Sequence, residues 1–297
     1  MNKLNLYKTH LKDRDLVEIE GKESLDFLQN LITNDTNLIN ENKAIYSALL
    51  TPQGKYLFDF ILFLKAKNND KILIDCEKAR SDELIKTFNL YKLRKKVTIS
   101  KLKNIKFYSI FGSISEQLLS RIGLKNLEGY SISSEENVAF FDPRNKNLGI
   151  RIITFNSDQP RYLKNIPSTS NEEWDLNRIA LCIPDGSKDM EINKSFLIEN
   201  NFENLNGIDF DKGCYLGQEN TARQKYRANL KKRLYKVKIY GPPIPNGADI
   251  ANENKIVGIM RSSNLHFGLA TLKIDAANQA NKNNKKLKAA NSYIKII

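Results

Sequence analysis

The spacing of apolar and polar positions changes character twice along the chain. Residues 25–32 have helical apolar spacing, with Ser24 placed as the cap. Two apolar runs, 46–50 and 57–64, are joined through Pro52, Gln53 and Gly54, which predicts a pair of strands and a hairpin. A third short strand is expected at 71–75, and a helix at 81–91 with Ser81 as cap and Glu83 in its first turn. Strands at 97–99 and 107–111, a helix at 117–122, and strands at 137–141 and 150–155 follow. Residues 172–181 predict a helix that holds the only tryptophan, Trp174. After Tyr226 the pattern shortens. Residues 233–240 alternate as a strand, 241–247 form a Gly/Pro loop, and short strands continue to Ile297, which suits a small barrel. The polar, lysine-rich stretch 278–290 is expected to be a mobile loop. The fold class is therefore α+β with a C-terminal β-barrel.

Composition sets outer limits. A chain of 297 residues is too long for one ordinary core, and its 41% hydrophobic content suffices for globular packing. The expected division is 1–230, as two subdomains with a break near residue 100, followed by a barrel at 231–297. No apolar run reaches 18 residues, so no membrane span is expected. The first residues carry no apolar signal core. Cys76, Cys182 and Cys214 are odd in number and widely spaced, which does not read as a disulfide framework. With no CxxC pair and only His10 and His266, no metal site built by this chain alone is expected. These features predict a soluble protein of a reducing compartment, placed in the cytoplasm.

The charge is unevenly distributed. Residues 225–297 hold fifteen Lys/Arg and three Asp/Glu, whereas residues 1–224 hold 32 and 31. Nearly all of the net +13 thus sits in the last quarter. Two readings stand: a contact with RNA or another polyanion, and a lysine-rich surface that keeps the chain soluble.

The most informative segment is 211–223. It sets Cys214 between Gly213 and Tyr215, with Lys212 upstream and Gly217, Gln218 and Glu219 after it. Two glycines this close imply a tight turn or a close approach. A helix is expected after Gly217, supported by Glu219 and Arg223 at i, i+4. If Asp211 instead capped a helix, Cys214 would lie in its first turn, where the positive helix end and Lys212 both favour thiolate. The competing reading makes Cys214 a small packing residue.

Lys212-Gly-Cys-Tyr-x-Gly-Gln-Glu219 resembles the signature of the YgfZ family, folate-binding proteins related to the T-protein (aminomethyltransferase) of the glycine cleavage system. Further blocks are similar to that family: Gly21, Phe27-Leu-Gln29 and Thr33-Asn-Asp35; Leu50 to Lys55 with Asp59; Tyr91-Lys-Leu-Arg94; Arg178-Ile-Ala180 with Pro184; and Gly258, Ser262, Ser263 and Gly268 to Ala270. The likeness runs over essentially the whole chain. It departs at Asn30, at Cys182 before Ile-Pro, and at 196–199, which lacks a usual proline.

The resemblance implies a T-protein-like fold that binds tetrahydrofolate or a one-carbon derivative, and partners in iron–sulfur protein assembly. It implies a functional thiol at Cys214. It places Asp59, in an otherwise apolar strand, near the acid that faces folate, with outward exposure or an Arg94 partner as the competing reading. Glu199 is a second acidic candidate. Arg94, Arg178 and Arg223 are candidates for folate carboxylates, and Tyr46 and Tyr215 for stacking on the pterin. Three functions follow as alternatives: a folate-binding accessory factor for iron–sulfur protein assembly or repair with an indirect effect on tRNA modification, a tetrahydrofolate-dependent one-carbon transferase, and an RNA-binding module on the same fold. No complete set of catalytic groups is visible, which leaves stand-alone turnover undecided.

Overall fold

The computed structural model describes residues 5–65, 71–155, 159–226 and 230–297. The chain forms two compact units. The first comprises Met1–Leu50, Leu57–Trp174 and Asn204–Leu216, and the second Thr51–Tyr56, Asp175–Glu203 and Gly217–Ile297.

The first unit begins with β1 (Tyr7–His10), β2 (Arg14–Glu20) and a short helix, α1 (Ser24–Gln29). β3 (Ile45–Leu50), β4 (Tyr56–Leu64) and β5 (Lys71–Glu77) precede α2 (Ser81–Lys92) and β6 (Thr98–Lys101). Next come β7 (Lys106–Phe111), α3 (Glu116–Ile122), β8 (Ser131–Ser133), β9 (Asn137–Phe141) and β10 (Ile150–Thr154). A one-turn helix α4 (Arg161–Lys164) leads to α5 (Asn171–Ala180), which carries the chain into the second unit.

Two five-stranded sheets result, ordered β3-β4-β5-β2-β6 and β1-β7-β10-β9-β8. β4 is apolar almost throughout because all but one of its nine residues are buried, so both of its faces need hydrophobes. α2 lays Leu84 and Phe88 on the first sheet, and the Phe88 ring lies 6.0 Å from both Phe27 and Phe60. Phe63 of β4 meets Phe140 of β9 at 5.2 Å, so the sheets share packing.

The sheets also share buried charge. Asp75 of β5 accepts from Arg14 Nε at 2.7 Å and from Arg151 NH1 of β10 at 2.6 Å. Arg151 reaches on to Asp142 at 3.5 Å, and Arg144 grips the same Asp142 in bidentate fashion at 2.9 and 2.8 Å. A buried arginine costs several kcal/mol of desolvation unless carboxylates of good geometry surround it. Here each of these groups has at least one such partner.

In the second unit, the hairpin tip 51–56, the one-turn helix α6 (Gly186–Asp189) and helix α7 (Gln218–Tyr226) accompany the barrel. Its strands are β11 (Lys232–Tyr240), β12 (Asp249–Asn252), β13 (Lys255–Asn264), β14 (Phe267–Lys273), β15 (Leu287–Ala289) and β16 (Ser292–Ile296), closed in the order β11-β14-β13-β12-β15-β16. Val237, Ile239, Ile250, Met260, Leu272 and Ile294 fill it.

The mobile loop expected at 278–290 is instead the end of α8 (Ile274–Lys282), a short connection and β15. Ala277 and Ala280, one helical turn apart, are buried in the barrel core, and side chains that small are easily overlooked as a core face. The two serines read as caps are first helical residues instead. Ser24 donates to the Gly21 carbonyl and Ser81 to Asp15, so neither satisfies a helix-end N–H. No helix among the described residues is long and apolar enough to cross a membrane.

Candidate functional site

The loop that carries Cys214 is built from two distant segments of the first unit. Asp209 Oδ1 accepts from the backbone N–H groups of Asp211 and Lys212, at 2.8 and 3.0 Å, and turns the chain. Lys212 then points inward. Its ammonium donates to the carbonyls of Gln29 (2.9 Å), Ile32 (2.8 Å) and Asn34 (2.7 Å), using all three N–H bonds. Burial pushes this lysine down to about 8, against the pull of Asp35 and Asp209. Tyr215 is buried beside it, with the ammonium 5.2 Å from the ring centre, and the Leu216 N–H donates to the Asn30 carbonyl.

The 29–36 segment is stitched just as closely. Gln29 joins Asp35 and Thr36, Thr33 donates to the Gly207 carbonyl at 2.6 Å, and Asn34 donates to the carbonyls of Tyr46 and Asn206. The Thr-Asn-Asp block and the cysteine block are therefore one structure. That Thr33 and Asn34 support the cysteine loop is not legible in residue types, because their partners are backbone carbonyls.

Cys214 stands exposed on this scaffold, while Cys76 is buried and Cys182 half-buried. Burial pushes the Cys76 thiol up to about 12 and the Cys182 thiol up to about 11. Gly213 has an ordinary backbone conformation, and a Cβ built there would meet nothing within 4 Å. Two expectations are corrected here. Asp211 does not cap a helix under Cys214, because α7 starts only at Gln218. Lys212 does not face the thiol, because its charge is spent on the three carbonyls.

Gly217 lies at φ +79° and opens α7, whose first residue, Gln218, is half-buried. Glu219 and Arg223 face solvent and pair with each other at 2.9 Å. Arg223, nominated for a folate carboxylate, is thereby engaged on the exposed surface of α7.

Asp59 does not face outward: it is 7% exposed, and its Oδ2 accepts from the Tyr46 hydroxyl at 2.8 Å. Burial, with Asp59 next, raises the Tyr46 phenol well above its ordinary range and keeps it a donor. The Tyr46 ring is itself 1% exposed with the Arg144 guanidinium 5.5 Å above it, so it is packed rather than open for stacking, and Tyr215 is likewise packed. Arg94 is exposed and is not brought to Asp59; it lines a hollow with Phe27 and Tyr91.

Arg178 belongs to the second unit and is 0% exposed. It donates to Asp175 (2.6 Å), Asp189 (2.7 Å), the Ile183 carbonyl (3.0 Å) and Ser262 (2.7 Å). The residue nominated for a folate carboxylate is thus held by four partners within the second unit. Glu199 also belongs to the second unit. Burial raises its carboxyl, and Lys232, Lys55 and Arg261 oppose the shift. Among the described residues no cluster of His, Cys, Asp and Glu could hold a metal ion.

The model for the CAF17 C-terminal β-barrel domain matches residues 231–296. The mitochondrial iron–sulfur cluster assembly factor IBA57 of Mus musculus is 27% identical over 280 residues, covering 89% of this chain and 76% of its own. The Homo sapiens protein is 27% identical with 88% and 76% coverage. The chain is a homologue of these IBA57 assembly factors. The Dictyostelium discoideum homologue is 29% identical over 254 residues, and the match spans only 61% of that longer protein. The fold matches the crystal structure of the glycine cleavage system aminomethyltransferase T from Bartonella henselae. The TM-score is 0.81, with 12% identity, over 99% of this chain and 85% of that one. The cytoplasmic placement expected from the sequence is overturned, since these relatives are mitochondrial proteins.

Proposed function

We propose that this chain is an accessory factor for the assembly or repair of iron–sulfur proteins, acting through the thiol of Cys214. The observation that carries this reading is the contrast within one loop. Lys212, Tyr215 and Leu216 are fixed inward, and Cys214 alone among the cysteines is exposed. A presented thiol on a rigid mount suits contact with another protein or its cluster. In cells depleted of the native protein, Cys214→Ser is expected to abolish recovery of iron–sulfur enzyme activity while moving the melting temperature little. Full recovery with the serine variant would refute the role of the thiol. Any effect on tRNA modification would follow indirectly, through cluster-dependent enzymes.

Tetrahydrofolate or a one-carbon derivative is the proposed ligand of the first unit. The fit rests on Asp59, a buried carboxylate oriented by the Tyr46 hydroxyl, which is the kind of acceptor that pterin N–H groups require. When bound, folate would supply a one-carbon carrier. Titration of the purified protein with tetrahydrofolate should show saturable binding that Asp59→Asn weakens with the fold intact. Equal affinity in both proteins would remove Asp59 from the site, and turnover of a one-carbon adduct would favour a transferase.

A contact with RNA or another polyanion has one observation in its favour. On the barrel, Lys238 lies directly opposite Lys295, and Tyr240 opposite Tyr293, with the Lys286 ammonium 3.6 Å from the Tyr240 ring. Like charges opposed across strands are unfavourable without an anion, and interleaved aromatics suit stacked bases. Lys238→Glu with Lys295→Glu should then flatten the salt dependence of oligonucleotide binding. Unchanged binding across a salt series would leave these lysines as a solubility feature.

A further inference from the structure

The geometry points to the hollow between α1 and the C-terminal end of α2 as a docking site for an acidic, leucine-bearing segment of a partner protein. This rests on the assembly reading only for the identity of the partner, an iron–sulfur assembly or client protein. The hollow lies wholly within the first unit, has a volume of about 720 Å³, and is walled by Phe27, Leu31, Tyr91 and Leu93.

Leu93 is the decisive residue. It is 87% exposed, and its backbone sits at φ +47°, ψ −113°, a region that glycine adopts readily and leucine only under strain. Folding therefore holds a large apolar side chain in water, in a strained conformation, with little burial in return. Leu90, on the preceding turn, is also 76% exposed. Exposed hydrophobes beside an apolar hollow mark a surface that something else covers.

The rim states the charge of the occupant. Four of the five residues 92–96 are basic. Lys95 is neutralised by Glu23 and Asp26, whereas among the described residues Lys92 and Arg94 form no ion pair. A second copy of this chain is a poor occupant, because each copy carries a net charge of +13. A segment with leucines on one face and carboxylates at its edge satisfies both the apolar walls and the free cations, in the manner of a helix laid in a groove.

The position fits the proposed role. Asn30 lines the hollow and accepts the N–H of Leu216, two residues beyond the exposed Cys214. A segment seated there would deliver its parent protein to the thiol. The open space around Gly213 leaves room for that approach.

The test uses the full chain and two labelled helical peptides of about 16 residues with leucines at i, i+3, i+4 and i+7, one flanked by glutamates and the other by lysines. The glutamate peptide is expected to bind at least ~10-fold tighter than the lysine peptide. Leu93→Gly and Arg94→Glu should each weaken it by ~5-fold or more, about 1 kcal/mol. Leu93→Gly should not lower the melting temperature, since glycine relieves the strained backbone, so lost binding cannot be ascribed to unfolding. Binding that survives Cys214→Ser, in a variant that no longer supports iron–sulfur enzymes, supports the groove independently of the thiol. Equal binding of the two peptides, or full binding by both groove variants, would overturn the proposal. Displacement of the peptide by tetrahydrofolate would overturn it too, by assigning the hollow to folate.

Discussion

A single lysine and a single cysteine show how differently neighbours in one motif are used. Lys212 is the internal strut of its loop: three carbonyls converge on one ammonium that burial has pushed down to about 8. In the unfolded chain the same group titrates at its ordinary value of 10.5. A depressed lysine binds fewer protons folded than unfolded between those values, so its contribution to stability rises with pH across that window. Lys212→Met should cost ~1–3 kcal/mol by stranding buried carbonyls. It should also abolish the rise, which urea unfolding at about pH 7.5 and 9.5 would reveal; an identical rise in the variant would assign the effect elsewhere. Cys214 is the external counterpart. Iodoacetamide should modify one cysteine per native chain, at position 214, because burial holds Cys76 and Cys182 as thiols with values of about 12 and 11. Rapid modification of all three in the native state would contradict the burial argument.

Elements were legible in the sequence where pattern and burial coincide. The runs at 46–50 and 57–64 became β3 and β4 because strands buried on both faces read as continuous apolar stretches. Strand β2 escaped notice because its buried Leu16, Val17 and Ile19 are interleaved with charged residues. The exposed thiol could be anticipated from its glycine neighbour, but not the direction of Lys212, which depends on carbonyls some 180 residues away. Arg178 shows the same limit: only tertiary structure brings Asp189 and Ser262 to its guanidinium. The hairpin signal at Gly54 was sound, for a reason that the pattern does not contain. Gly54 sits at φ +72°, and a Cβ there would lie 2.9 Å from both the Gly217 carbonyl and the Asn220 side chain. Gly54→Ala should therefore destabilise the second unit by ~1–3 kcal/mol, through both strain and the collision with α7. A melting temperature equal to that of the parent would show that the hairpin tip can shift away at no cost.

At the scale of a whole unit, the two sheets are tied by charge as well as by rings. Arg14, Asp75, Arg151, Asp142 and Arg144 form an unbroken series, buried beyond the half-buried Arg14, from β2 through β5 and β10 to the residues after β9. A hydrophobic replacement of the full set could pack as well, but removing one member leaves a buried charge with a missing partner. Asp142 is the sharpest place to cut. Burial pushes its carboxyl up, yet Arg144 and Arg151 more than reverse this and hold it below its ordinary range. A depressed carboxyl contributes stability that is complete above its unfolded value and drains away as pH falls through the folded one. Asp142→Asn should thus cost ~3–5 kcal/mol near neutral pH, where Arg144 loses its counter-charge. The gap between variant and parent should then narrow below about pH 4, as the parent's own carboxylate protonates. Urea unfolding followed by circular dichroism from about pH 7 down to pH 3 reads both quantities. A gap that stays constant over that range would mean that Asp142 contributes by packing and neutral hydrogen bonds, and that its charge does not hold the two sheets together.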